Sequence, residues 1–76
     1  MNNIKKILVE YKNIMVKILG IKYNISELEA RQWIKDFNFD EVCKSCNYIA
    51  LHDDHEVWVD AIYQWVNLEE EDLFEM

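Results

Sequence analysis

A chain of 76 residues, with 51% hydrophobic residues and three Trp, is long enough for one domain and too apolar for a disordered one. One Gly and no Pro leave few means of building hairpins or kinks, which points to helices. The net charge of −7 is divided unevenly: residues 1–22 hold five Lys against Glu10, and the remainder holds fourteen carboxylates against Arg31, Lys35 and Lys44. A body this acidic is repelled by phosphate, which excludes it as a direct nucleic-acid binder. It suits a basic protein surface, or serves solubility alone.

The first helix is expected over residues 3–19, with Ile4, Ile7, Leu8, Tyr11, Met15, Ile18 and Leu19 at helical spacing. Gly20 stands where a left-handed glycine would end it, and residues 21–25 read as an extended linker. Glu10, Lys12 and Lys17 interrupt the N-terminal apolar run, so neither a signal peptide nor a membrane span of ~18 apolar residues is read there. The expected protein is soluble and cytoplasmic. Its two flanking apolar faces allow helix 1 to pair with a copy of itself, so a monomer or a weak homodimer is expected.

Ser26 with Glu29 has the spacing of a capping box and opens a second helix to about Asp36. Asn38 with Glu41 repeats the pattern and opens a third over 39–50. Asp53 with Glu56 repeats it again before Val57, Trp58, Ala61, Ile62, Trp65 and Val66, which predicts a fourth over 54–68. Trp33, Trp58, Tyr63 and Trp65 cannot all point inward, and an exposed aromatic would make a protein-binding anchor. The run from Glu69 to Met76 shows no apolar stripe and is expected to fray. The fold class is thus all-α: a bundle of about four helices over 1–68 and an acidic tail over 69–76.

Cys43, Cys46, His52 and His55 fall in a Cys-x2-Cys-x5-His-x2-His spacing and are the only Cys and His in the chain. Two thiolates and two imidazoles are the ligand set that Zn²⁺ prefers for a closed tetrahedral site. Residues three apart on a helix share a face, so Cys43 and Cys46 can aim at one point. The reading is a structural zinc stapling the corner between helices 3 and 4, with Asp53 or Asp54 beside or within its ligand shell. The alternatives are a buried small hydrophobe at Cys43, a redox pair without its usual βαβ setting, and solvated turn histidines. Four protein ligands leave no open position for substrate, and no nucleophile with a base stands out, so the reading is not an enzyme.

With this cluster, the carboxylates of helices 2 to 4 and the 69–75 tail in view, the chain resembles the small acidic type II anti-CRISPR proteins of phages and mobile elements. That resemblance is one of overall character, because the family shares no common motif. It implies stoichiometric inhibition of the RNA-guided type II Cas endonuclease in a host bacterial cell by blocking the loading of target DNA. Such nucleases hold nucleic acid in positively charged channels, which an acidic surface can occupy. The candidate contacts are Asp36, Asp40, Glu41, Asp60, Glu69, Glu70, Glu71 and Asp72. The alternatives are a phage helical module that binds a host replication protein, and a redox or metal enzyme.

Overall fold

A computed structural model describes the backbone over residues 3–75 and the side chains over residues 3–68. Its order is α1 (Asn3–Tyr23), α2 (Glu27–Phe37), α3 (Phe39–Ser45), a 3-10 turn (Ile49–His52) and α4 (His55–Glu75). The fold is all-α, as the composition and periodicity indicated, with no strand among the described residues.

The core runs along the inner faces of the helices: Tyr11, Met15, Val16 and Leu19 from α1, Ala30 and Ile34 from α2, Phe39 and Cys43 from α3, Ala50 from the 3-10 turn, and Val59 and Ile62 from α4. An aromatic network ties these elements together. Phe39 stacks on Tyr11 and meets the edge of Trp58, while Phe37 makes edge contacts with Trp58 and Trp65. On the other side Tyr23 of α1 lies flat on Tyr63 of α4, 3.7 Å between centroids, and Trp33 tilts against Tyr63. All four aromatics whose direction was open are therefore at least half-buried, and none stands out as an exposed anchor.

The element boundaries differ from the expected ones for specific reasons. Helix α1 continues through Gly20 to Tyr23 because its last turn is anchored by other elements. Lys22 Nζ reaches Glu56 Oε2 at 2.7 Å and Asp60 Oδ1 at 2.8 Å, and Tyr23 Oη donates to Asp60 Oδ1 at 2.6 Å. These contacts outweigh the ~0.5–1 kcal/mol that an interior glycine costs. The left-handed position falls to Asn24 at φ 57°. Asparagine does the same at Asn38 and Asn47, and Tyr48 follows at φ 64°. Asn38 does not cap α3 with its side chain; it closes α2, its backbone N–H pointing at Ile34 O and Lys35 O.

Two left-handed residues in succession end α3 at Ser45, and the expected helix over 39–50 becomes a short helix plus a 3-10 turn. Ser26 does cap α2, with Oγ accepting from Glu29 N at 3.1 Å. The cap of α4 is Asp54, whose Oδ1 accepts from Glu56 N at 3.3 Å. Asp53 instead accepts from Trp58 Nε1 at 3.1 Å. At its other end α4 runs past residue 68 to Glu75, where fraying was expected. Extending an existing helix through glutamates adds a backbone hydrogen bond per residue at little cost.

Candidate functional site

Cys43 sits on the inner face of α3 with 0% exposure, packed as a small hydrophobe in the core. Burial, followed by the nearby Cys46 and Asp40, pushes its thiol up to about 11. Cys46 follows the last turn of α3, and its Sγ donates to Cys43 O at 3.5 Å. His52 ends the 3-10 turn in solvent. His55 opens α4 and stacks on the Tyr11 ring at 4.0 Å between centroids.

Tyr11 is the pivot of this corner. Its hydroxyl donates to Asp53 O at 2.8 Å and so fixes the chain between the 3-10 turn and α4. Burial first, and then Asp53, Cys43 and Asp54, push its phenol up to about 12. The four residues with zinc-ligand spacing are thus near one corner but engaged separately. Among the described residues no three His, Cys, Asp or Glu side chains converge to hold a metal ion. Helix α3 ends at Ser45, between Cys43 and Cys46, so the two cysteines do not continue along one helical face. Asp53 and Asp54 are engaged with Trp58 and the α4 cap rather than with an imidazole.

The candidate partner-binding carboxylates divide into two groups. Asp40 takes Lys12 Nζ on both oxygens, at 2.8 and 3.1 Å. Asp60 takes both Lys22 and Tyr23, and these two bonds, Lys22 first, hold its carboxyl below the usual range. Their charge is spent inside the chain. Asp36 accepts only a neutral donor, Gln32 Nε2 at 2.9 Å, and Glu41 is exposed without a cation partner among the described residues. The side chains of Glu69, Glu70, Glu71 and Asp72 lie outside the described residues.

The sequence reading missed an open cleft of about 350 Å³ between α1, α2 and α3. It is lined by Lys12, Arg31 and Lys35, with Ile34 and Phe39 at its base and Asn38 and Asp40 at its rim. Two of its cations already have carboxylate partners, Lys12 with Asp40 and Arg31 with Glu27. Only the i, i+4 relation of Arg31 and Lys35 was visible in the sequence; the approach of Lys12 depends on tertiary packing. No helix among the described residues is long and apolar enough to cross a membrane. No family model, no curated protein and no solved structure matches this chain.

Proposed function

We propose that the chain is a binding protein rather than an enzyme, and that it docks a carboxylate-bearing helical surface onto a basic, nucleic-acid-binding surface of a partner protein. The observation that carries this reading is the uneven settlement of charge. Among the described residues Lys12, Lys22 and Arg31 are matched by carboxylates and the other five lysines are not. But carboxylates outnumber cations fifteen to eight, and Asp36 and Glu41, on α2 and α3, are among those without a cation partner among the described residues. The resemblance in character narrows the partner to an RNA-guided type II Cas endonuclease whose DNA-loading channel the acidic surface would occupy. Asp40 and Asp60 then act as supports that hold α1 against α3 and α4, and Glu69 to Asp72 extend the negative field along α4.

The test is binding of the purified chain to such a ribonucleoprotein, with target DNA as competitor. Binding should weaken steeply with salt, as contacts competing with phosphate do. Glu41→Lys and Asp36→Lys should each lower affinity about tenfold without changing helicity. A pull-down from bacterial lysate that recovers a replication helicase instead would transfer the reading to a replication partner. Affinity indifferent to salt and to both charge reversals would refute the acidic surface as the contact.

A further inference from the structure

Helix α1 carries Ile7, Ile14 and Ile21 one heptad apart, and all three stay on the surface, at 47%, 42% and 85% exposure. They are not the face that α1 turns to its own chain, which is Tyr11, Met15, Val16 and Leu19. Ile4, 46% exposed, and half-buried Ile18 border the stripe on the side of the core. Glu10 and Lys17, both exposed, border it on the other side. A spacing of seven drifts by only ~20° per heptad around a straight helix, so the three isoleucines form a nearly straight apolar seam. Such a seam matches another helix bearing the same repeat.

We propose that this stripe is the contact face for a second copy of the chain, with the two α1 helices antiparallel and Ile14 on the two-fold axis. Ile7 then meets Ile21 of the second copy, and Ile14 meets its own equivalent. The charges along the border select this direction. Glu10 stands four residues before Ile14 and Lys17 three after it, about 6 and 4.5 Å along the axis at 1.5 Å per residue. Inverting one helix therefore brings Glu10 level with Lys17 of the second copy, and the two-fold repeats the pair. A parallel two-fold pairing would place the Glu10 and Lys17 borders of the two helices on opposite sides of the seam, facing Ile4 and Ile18 of the other copy, and would form no such ion pair. Asp36 and Glu41 belong to α2 and α3, so this pairing stands apart from the acidic contact proposed above.

Sedimentation equilibrium of the full chain over roughly 1–100 μM tests the proposal. The expected result is a monomer–dimer equilibrium within that range. Ile14→Asp should raise the dimer dissociation constant about 100-fold, with circular dichroism unchanged because the site is partly exposed. Glu10→Lys and Lys17→Glu should each weaken the dimer about tenfold, and the two together should restore it. A wild-type chain that stays monomeric throughout, or a dimer indifferent to Ile14→Asp, overturns the proposal. A dimer broken by Ile14→Asp but insensitive to the charge exchanges overturns the antiparallel register.

Discussion

Alanine at Cys43, Cys46, His52 and His55, one at a time, separates a packed corner from a metal staple. With Cys43 at 0% exposure in the core, Cys43→Ala removes one buried heavy atom and should cost about 1 kcal/mol. Serine there puts a hydroxyl among apolar groups and should cost about 1–3 kcal/mol. His55→Ala removes the ring stacked on Tyr11, worth about 0.5–1.5 kcal/mol. His52, in solvent, should change stability by no more than about 0.5 kcal/mol. A chain of this length has a total of roughly 4–11 kcal/mol, and each kcal/mol moves the melting temperature by about 4–8 °C.

Thermal melts followed by circular dichroism, with and without a chelator, should therefore rank Cys43→Ser lowest and His52→Ala nearest wild type. A structural zinc would give the opposite pattern, because about 10–16 kcal/mol of binding energy would be lost with any one ligand. Four equally collapsed variants, with a chelator reproducing the collapse and elemental analysis finding one zinc per chain, would refute the packing account of this corner.

Three further outcomes follow from the described geometry. Gly20→Ala should raise the melting temperature by a few degrees, since the added Cβ meets Ile25 O at an ordinary 3.4 Å and alanine gains about 0.8–1 kcal/mol inside a helix; a drop would mean that this approach is tighter than described. Asn38 is left-handed without a side-chain cap, so Asn38→Gly should be neutral or stabilising and Asn38→Ala should cost about 1 kcal/mol, read from the same melts. Stability should fall at both ends of the pH scale. The depressed Asp60 carboxyl stabilises the fold above its ordinary 3.8 and loses that contribution as pH falls through its folded value. The Tyr11 phenol, held up to about 12, contributes fully below its ordinary 10.0 and loses that contribution as pH rises from 10 to 12. Denaturant melts across pH check both limbs, and Tyr11→Phe should flatten the alkaline one.

The fold class was legible because apolar residues recur at helical spacing in each of the long helices, and the Ser26 cap because its partner lies three residues away. The helix ends were less legible, for one chemical reason. In a chain with a single glycine, asparagine takes the left-handed positions, at Asn24, Asn38 and Asn47, and asparagine also reads as a helix start. Gly20 misled in the reverse sense, since Lys22 and Tyr23 are held by Glu56 and Asp60, more than thirty residues away. The Cys and His spacing showed which residues would share a helical face if the helix continued. It could not show that α3 stops at Ser45, because that stop depends on Asn47 and Tyr48 turning left-handed in succession. That Asp40 and Asp60 are matched was likewise invisible, as their partners Lys12, Lys22 and Tyr23 come from α1.

The flat stacking of Tyr23 on Tyr63 gives this molecule an optical signature of its own. Two phenol rings 3.7 Å apart and within 5° of parallel hold each other in a fixed, asymmetric surrounding. Their near-ultraviolet circular dichroism therefore reports the docking of α1 on α4, separately from the far-ultraviolet signal of helix content. A state that kept its helices but let α1 swing away from α4 would lose that band first, which makes the end of α1 the place to watch for early unfolding.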